Sequence, residues 1–393
     1  MSREVVVLSA VRTAIGSFGG SLKDVPLRAL ATTVVREALQ QSGVDAERIG
    51  HVVMGNVIPT APEDAYLSRI AGVDAGIPFH VPAFNVNRLC GSGLQAIVSA
   101  AQSIMLGDTE FAVAGGAESM SRGPYLQTSA RWGARLGNVE FIDYTLGVLH
   151  DPWKHNHMGM TAENVAQRFG ITREMQDALA LESQRRAARA IEEGRFTGQI
   201  VPVEIKTRKG VSSFGVDEHV RTDVTSEQLA RMGPAFKPEG VVTAGNSSGI
   251  NDGACALVLA SAQSAEVLGL QPLARLVGYA HAGVDPDYMG IGPLAATRIL
   301  LQRTGLKISD LDVIEANEAF AAQACAVIQE LGLDPKKVNP NGSGISLGHP
   351  IGATGAIIAT KAIHELHRTG GRYALVTLCI GGGQGIAAIF ERL

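Results

Sequence analysis

The sequence predicts an α/β fold made of two similar halves with an inserted region between them. Short β-branched runs alternate with amphipathic helical patterns, which is typical of a mostly parallel sheet covered by helices on both faces. The pattern of residues 27–56 returns in residues 294–317, and a repeat of this length indicates duplicated units. Between the two copies the alternation stops, which indicates an insertion.

The composition is that of a large chain without a charge bias. Its 393 residues exceed the size at which single cores stop growing, so more than one domain is expected. A formal net charge of -4 favours neither nucleic acid nor a membrane surface as partner. The four cysteines lack metal-ligand spacing, and no apolar run approaches the roughly 20 residues of a spanning helix. We therefore expect a cytoplasmic protein without a metal site.

The first half shows the alternation clearly. Residues 4–10 form a β-branched run and predict a central strand, and residues 27–41 predict an amphipathic helix. Residues 49–54 predict a second strand. Residues 111–114 predict a third, which we expect to break at the glycine pair beginning with Gly115.

The middle region, residues 121–249, has few strand signals and one strongly charged helical stretch at residues 172–193. We expect an inserted loop domain here. It separates an N-terminal half, residues 1–120, from a C-terminal half, residues 273–393, and residues 250–272 return to complete the first half. A basic cluster lies within the insertion, and its ordinary interpretation is a solvated face: Lys206, Arg208, Lys209 and the nearby Arg221.

The second half repeats the order of elements found in the first. A helical pattern at residues 294–303 is followed by a strand pattern at residues 311–314. The glycine-rich turn around His349 then leads into an apolar helical run, as the turn around Cys90 does in the first half. A last strand, residues 373–378, ends next to three glycines. Two halves that face each other are therefore expected to carry a cysteine and a histidine at equivalent helix starts.

Cys90 is a candidate nucleophile because it precedes the apolar helical run of residues 94–105. Free N–H groups and the positive end of the helix dipole favour a thiolate at such a position. The alternative is a buried structural cysteine, since free cysteine is among the most buried residue types. This segment alone leaves both interpretations open.

Residues in the second half strengthen the catalytic interpretation. A pseudo-two-fold axis would bring Cys90 and His349 together, and an imidazole can take the thiol proton. Cys379 follows a strand at the sheet edge where open α/β sheets bind ligands, and it can act as an acid or base. Its alternative role is a small hydrophobe that ends a strand. The backbone N–H of Gly381 can bind an oxyanion, and Asn317 can orient a water or donate to an oxyanion.

Four motifs carry a resemblance to a known family: Asn-Arg-Leu-Cys-Gly-Ser-Gly at residues 87–93, Asn-Glu-Ala-Phe at 317–320, Asn-Gly-Ser-Gly through Gly-His-Pro-Ile-Gly at 341–352, and Cys-Ile-Gly-Gly-Gly at 379–383. The chain resembles the thiolases over essentially its whole length, specifically the biosynthetic acetyl-CoA acetyltransferase and short-chain 3-ketoacyl-CoA thiolase group. The resemblance implies two βαβ-rich halves stacked as a five-layer αβαβα sandwich.

The resemblance also implies an activity and a role for each site residue. The reaction is a reversible Claisen condensation of two acetyl-CoA molecules, or of acetyl-CoA and a short acyl-CoA, to a 3-ketoacyl-CoA and CoA. Cys90 is then the acylated nucleophile, His349 activates it, and Cys379 moves the α-proton. One oxyanion site consists of His349 and a water held by Asn317, and another consists of the N–H groups of Cys90 and Gly381.

The same resemblance implies which residues contact CoA and how the chain assembles. Residues 222–228 do not match the serine-containing pattern of pantetheine contacts, so none is assigned there. A homotetramer, joined through residues 121–138, is implied. No metal or redox cofactor is expected, because an acylated cysteine and one base suffice for this chemistry. The CoA contacts are His157, Met158, Arg221, Ala244, Ser248, Met289, Ala319 and Phe320.

Two rival functions remain to be weighed. A decarboxylating ketoacyl synthase of the same fold makes its carbanion without a proton-abstracting base, so Cys379 argues against it. A non-catalytic acyl-CoA or lipid carrier on the same scaffold is the alternative from another class. The joint presence of Cys90, His349 and Cys379 argues against a carrier.

Overall fold

The structure, a computed structural model, describes residues 3–207 and 210–393. Arg208 and Lys209 of the basic cluster lie outside the described residues. The strands are β1 (Val5–Thr13), β2 (Gly16–Ser17), β3 (His51–Gly55), β4 (Ala83–Val86), β5 (Phe111–Ser119), β6 (Tyr125–Leu126), β7 (Ile142–Asp143), β8 (Ile200–Val201), β9 (Val203–Thr207), β10 (Gly210–Phe214), β11 (Asn251–Ser261), β12 (Ala274–Gly283), β13 (Val313–Ala316), β14 (Tyr373–Ile380) and β15 (Gln384–Arg392).

Helices follow the predicted alternation, and the strongest patterns are confirmed within a few residues. The helix predicted at residues 27–41 ends at Gly43, whose φ of 67° is the left-handed conformation that glycine adopts readily. The helices are α1 (Leu27–Ser42), α2 (Leu67–Asp74), α3 (Ser92–Leu106), α4 (Tyr144–Gly147), α5 (Met158–Phe169), α6 (Arg173–Glu192), α7 (Ser226–Ala230), α8 (Ala262–Val267), α9 (Gly292–Thr304), α10 (Ala321–Leu331), α11 (Gly344–Leu347) and α12 (Ile351–Thr369).

Nine of the strands form one continuous path in the order β13-β14-β15-β12-β1-β11-β5-β3-β4, with β2 and β8 paired beside it, while β6 with β7 and β9 with β10 form two separate two-stranded sheets. The expectation of a mostly parallel sheet is wrong, because β11 and β15 each run antiparallel to both of their neighbours. β11 re-enters the first half after the insertion, and β14 turns back into β15 through residues 381–383. Among the strands of the described residues, the pairing of β1 with β12 joins the two halves of the sheet, through Val6 opposite Arg275 and Val7 opposite Ala274.

The five-layer order implied by the family resemblance is confirmed. α1 packs on the outer side of the first-half strands, and α9 packs on the second-half strands β12 and β15. Between the two sets of strands lie α3 and α12, which contact each other as well as strands on either side. The turns that precede these two central helices are the ones that carry Cys90 and His349.

β5 continues through the glycine pair at which a break was expected. A side chain at Gly115 would put its Cβ 2.0 Å from the Cys255 carbonyl oxygen, and one at Gly116 would put it 2.3 Å from the Gly352 carbonyl oxygen. The two glycines therefore admit neighbouring backbone into a strand rather than ending it. This close approach places the start of α12 directly against β5.

A buried ion pair ties the insertion to the central sheet. The Arg12 guanidinium on β1 donates to both carboxylate oxygens of Asp217 at 2.7 and 2.9 Å. Both side chains are fully buried, and Arg12 also donates to Gln199. Because such a pair is costly to break once buried, it fixes where the insertion sits on the first half.

Within the described ranges one stretch, Leu89–Leu106, is apolar and long enough by composition to cross a membrane, with 61% of its residues buried in the fold. It coincides with α3, which lies between the two sets of strands. The same ranges hold no cluster of three or more His, Cys, Asp or Glu side chains that could hold a metal ion.

Candidate active site

A cavity of about 350 Å³ opens where the two halves meet the insertion. Cys90 enters it from the first half, and His349, Cys379 and Gly381 enter it from the second. The cavity walls are mostly apolar. Further lining residues come from the insertion and from the loops around it: Leu89, Met120, Val148, Leu149, His157, Met158, Ala235, Phe236, Ala244, Ser247, Ser248, Gly249, Ile250, Met289, Ala319, Phe320 and Ile351.

Cys90 lies on a tight backbone turn between β4 and α3. Leu89 adopts a φ of 46°, a left-handed conformation that costs free energy for a branched side chain. The turn is closed by a bond from the Gly91 N–H to the Arg88 carbonyl at 3.0 Å, and the Ser92 side chain bonds back to Leu89. The strained turn directs Cys90 into the cavity ahead of the helix.

The expectation that the helix start favours a thiolate is wrong for the resting protein. Cys90 is partly exposed to the cavity, yet burial of its thiol raises the pKa to about 11. The N–H groups of Gly381 and of Cys90 itself lower it by a smaller amount. α3 begins only at Ser92, so apolar surroundings outweigh the end of the helix dipole. Cys90 is therefore a neutral thiol that needs a base.

His349 is buried in the turn between α11 and α12, and burial lowers its pKa to about 4. Its imidazole is thus neutral at pH 7 and able to accept a proton. The Thr354 hydroxyl donates to the Pro350 carbonyl at 2.9 Å, so its oxygen is free to accept Nδ1–H of His349 at 2.7 Å. This arrangement leaves the basic lone pair of His349 on Nε2.

Cys379 lies near the end of β14 and is completely buried apart from its face on the cavity. Burial and, secondarily, the charge of a Cys90 thiolate raise the pKa of its thiol far above the usual range. The following turn contains Gly382 and Gly383 with φ values of 80° and 81°, which only glycine adopts readily. The turn brings the Gly381 N–H to the sulfur of Cys90.

Asn317 contacts the base without lining the cavity. Its side-chain Nδ2 lies 3.4 Å from Nε2 of His349, and its Oδ1 has no hydrogen-bond partner among the described residues. Asn317 is buried directly after β13. Nδ2 is almost as close to Nδ1 of His349, at 3.5 Å, so the structure places the Asn317 amide against the imidazole ring rather than at one of its nitrogens.

Most residues expected to contact CoA line the same cavity. Of the eight, Arg221 is the exception, because it is exposed and the structure does not bring it to the cavity wall. Its backbone N–H instead donates to Gln184 at 2.8 Å. The assignment of Arg221 to CoA stays a prediction.

Phe236 is a cavity residue that the sequence analysis missed. Its ring stacks on the His157 imidazole at 4.7 Å between centroids, with an interplanar angle of 14°. His157 caps α5 through an Nδ1 that accepts from Gly159, and burial lowers its pKa to about 4. A lone aromatic residue in a polar, proline-containing loop was the available signal, since aromatics make up only 5% of the chain.

Solved structures superpose on this chain along its full length. An acetyl-CoA acetyltransferase from Bacillus anthracis matches with a TM-score of 0.98 and 49% identity, covering 100% of this chain and 99% of that one. A human mitochondrial 3-ketoacyl-CoA thiolase in complex with CoA matches with a TM-score of 0.97 and 43% identity, covering 100% and 98%.

Sequence comparisons agree with the structural ones. The chain is 64% identical to the beta-ketothiolase BktB of Cupriavidus necator and 50% identical to an acetyl-CoA acetyltransferase of Escherichia coli, each over 100% of both chains. The family model for the thiolase N-terminal domain matches residues 5–263, and the one for the thiolase C-terminal domain matches residues 270–392. The chain therefore belongs to the thiolase family of acyltransferases.

Proposed function

We propose that this protein catalyses the reversible condensation of two acetyl-CoA molecules, or of acetyl-CoA and a short acyl-CoA, through an acyl-Cys90 intermediate. The observation that carries the proposal is the meeting of two neutral thiols and one neutral imidazole on a single apolar cavity. The first half of the chain supplies Cys90, and the second half supplies His349 and Cys379. Relatives named beta-ketothiolase and acetyl-CoA acetyltransferase support the same reaction.

The first step is acyl transfer to Cys90. Nε2 of His349 accepts the Cys90 proton as the sulfur attacks the thioester carbonyl, and the N–H groups of Cys90 and Gly381 bind the developing oxyanion. The departing CoA sulfur takes the proton of Cys379. The step ends with an acetyl-cysteine, a protonated His349, a Cys379 thiolate and free CoA.

The second step forms the carbon–carbon bond. The Cys379 thiolate removes an α-proton from the second acetyl-CoA, and His349 with Asn317 binds the enolate oxygen. The carbanion attacks the acetyl carbonyl on Cys90, and the Cys90 sulfur leaves with the proton that His349 holds. All groups return to their starting states, and acetoacetyl-CoA is released.

The insertion supplies the CoA site in this proposal. His157 and Phe236 form one stacked wall, and Ala244 and Ser248 of the insertion line the rest of the approach together with Met289 of the second half. A human relative was solved in complex with CoA, which supports the same substrate here. We assign residues 121–249 to this inserted domain, residues 1–120 with 250–272 to the first half and residues 273–393 to the second.

The remaining features follow from the same chemistry. The reaction calls for no metal or redox cofactor, because thiol and imidazole groups perform every proton transfer. The four cysteines are all free, which supports a reducing cytoplasmic setting. A homotetramer is part of the proposal and is supported by apolar side chains exposed on the insertion.

The decisive test is the acyl-enzyme. Cys90→Ser should fold as the wild type does, because the change is nearly isosteric, yet form no acetyl adduct with acetyl-CoA. Intact-mass and peptide mass spectrometry measure the adduct, and Cys325→Ser serves as a control that changes a cysteine outside the cavity. An adduct of undiminished yield on Cys90→Ser would remove Cys90 from the nucleophile's role.

A further inference from the structure

Glu118 is a buried carboxylate that the mechanism above does not use. It lies at the end of β5 with 0% of its surface exposed, and it does not line the cavity. Its Oε1 accepts from Asn56 Nδ2 at 2.9 Å and from the Ile58 N–H at 3.0 Å. Its Oε2 accepts from the N–H groups of Val57 at 3.1 Å and Gly352 at 2.8 Å.

These bonds join segments from opposite halves of the molecule. Asn56, Val57 and Ile58 follow β3 in the first half, whereas Gly352 is in the first turn of α12 in the second. The side chains of Val57 and Ile58 pack in one cluster with Ile351, against Leu89 and Cys90. The Glu118 carboxylate therefore holds together two parts of the site. One is the segment that packs against Cys90, and the other is the start of α12, which lies beside His349.

The helix start that Glu118 holds also fixes the His349 ring. α12 has no acidic residue in its first turn and no side-chain cap of its own. Glu118, which lies on β5, supplies both the negative charge and the hydrogen-bond acceptor at this helix start. That first turn includes Thr354, which orients Nδ1 of His349, and Pro350, which orients the Thr354 hydroxyl. A shift of α12 would move this ring away from Cys90.

The network requires an ionised carboxylate. Burial raises the pKa of Glu118 to about 8 even after the N–H groups of Ile58, Gly352 and Val57 have lowered it, which favours the protonated form, whereas the hydrogen-bond geometry favours the ionised form. Each oxygen faces N–H donors only, so a proton on either one would point at a donor and break a bond. A side chain at Gly352 would reach 2.5 Å from Oε2, which shows how closely the backbone approaches.

We propose that Glu118 is a positioning residue that aligns His349 with Cys90 across the two halves, an inference that rests on the function proposed above. Glu118 touches no reacting atom. It acts by keeping Nε2 of His349 within reach of the Cys90 thiol during acyl transfer.

The test is the single-turnover rate of Cys90 acetylation in Glu118→Gln, which keeps the size of the side chain but loses the charge and one acceptor. A 1 Å misplacement of reacting groups can cost about 100-fold in rate, so we expect a loss on the order of 10- to 100-fold at saturating acetyl-CoA. The apparent KM should stay near the wild-type value, because Glu118 does not touch the cavity wall.

Glu163→Gln is the matched control. Glu163 is also buried and accepts backbone N–H bonds, from Val241 and Val242, but it does not contact the His349 turn. It should lose stability in a denaturation experiment while keeping its saturated acetylation rate. An equal loss of rate in both variants would reduce Glu118 to a general structural role and overturn the proposal.

Comparing the rates of iodoacetamide alkylation and of acetylation of Cys90 separates the positioning role of Glu118 from the effect of its charge on the thiol. The negative charge of Glu118 raises the pKa of Cys90, so loss of the charge alone would speed both alkylation and acetylation. Slower acetylation supports positioning, and faster acetylation overturns it. An unchanged acetylation rate in folded Glu118→Gln overturns it equally.

Two further measurements of the acetylation rate complete the test, one on a second variant and one on the wild type. Should Glu118→Gln not accumulate as folded protein, Asn56→Ser removes the one side-chain donor that the carboxylate has among the described residues, and a several-fold loss of acetylation rate is then expected. An unchanged rate in Asn56→Ser would contradict the proposal. Wild type that forms no acetyl-Cys90 would instead refute the proposed function, which separates the two failures.

Discussion

At the scale of single residues, the site contains groups that are neutral when the protein is at rest. Burial raises the pKa of Cys90 and Cys379 and lowers that of His349, so neither thiol is charged and the imidazole can accept a proton. Charge appears only when Cys90 transfers its proton. Acylation then removes the Cys90 charge, which is one of the causes that raise the pKa of Cys379, so the Cys379 thiolate forms more easily as CoA departs at the end of the first step.

The neutral state of Cys90 predicts a steep pH dependence of alkylation in the free enzyme. Iodoacetamide reacts with the thiolate, and with a pKa of about 11 the thiolate fraction of Cys90 rises about tenfold per pH unit between pH 7 and 10. Peptide mass spectrometry measures the labelling rate of each cysteine. Cys325, whose pKa burial raises to about 12, is the internal reference. A rate that is flat above pH 7 would instead indicate a resting thiolate.

Cys379→Ala separates the two proton transfers. If Cys379 only filled space, one small side chain would replace another at modest cost. If it moves the α-proton, acetylation of Cys90 should continue at a reduced rate, because CoA then leaves without the Cys379 proton, while exchange of the acetyl-CoA methyl protons with heavy water falls by about 10²- to 10⁴-fold. NMR of acetyl-CoA in heavy water follows the exchange. Exchange at the wild-type rate in the variant would assign the proton transfer to another group, with His349 the nearest candidate.

At the scale of elements, the site depends on how closely α3 and α12 approach. Gly93 on α3 faces α12, where an added Cβ would lie 2.6 Å from the Ala356 backbone nitrogen. Gly355 on α12 faces α3, where an added Cβ would lie 2.4 Å from the Leu94 backbone nitrogen. Because the obstructing atoms are backbone, neither contact can be relieved by a side-chain rotation. Glycine at these positions lets the two helix starts meet at the cavity.

Gly355→Ala should therefore push the two helices apart. We expect a loss of about 1–3 kcal/mol in the free energy of unfolding from overpacking, together with slower acetylation of Cys90. Urea denaturation and the acetylation rate measure the two effects. Gly147→Ala in α4 is the control, because an added Cβ there meets no atom within 4 Å. Equal stability and activity in Gly355→Ala and wild type would show that the helices tolerate a wider separation.

At the scale of the whole molecule, the insertion leaves apolar side chains in solvent. Trp132 is 82% exposed and Leu136 is 99% exposed, and Tyr125 and Phe141 lie on the same part of the insertion. Apolar groups so concentrated on one segment indicate a protein–protein contact. This segment overlaps residues 121–138, where the family resemblance implied the tetramer contact.

The expected assembly is a tetramer that this segment holds together. Light scattering should give four times the chain mass of 41.2 kDa at micromolar concentration. The double variant Trp132→Ser, Leu136→Ser should give half the wild-type mass, because the dimers lose their apolar contact while each dimer persists. Val267→Ser, which removes another exposed apolar side chain outside the insertion, should leave the mass unchanged. A wild-type monomer would end the proposal.

Local patterns in the sequence were sufficient for the elements and for most members of the site. Apolar patterns located β1, α1, β3, α9 and β14, because the spacing of apolar residues reflects burial on one face or on both, and a strongly charged helical stretch located α6. The duplicated pattern indicated that Cys90 and His349 would meet. The family resemblance implied the roles of Cys379 and Gly381, and seven of the eight CoA contacts that it implied line the cavity.

Other properties depended on contacts between distant segments. The direction of β11 and the length of β5 followed from which strands and backbone atoms meet across the sheet, which residue spacing does not encode. The pKa of Cys90 was decided by the apolar walls assembled around it, which outweigh the helix end that the local sequence suggested. Phe236 and Glu118 gained their roles only from partners far away in sequence, His157 and Gly352, because stacking and hydrogen bonding require proximity in space.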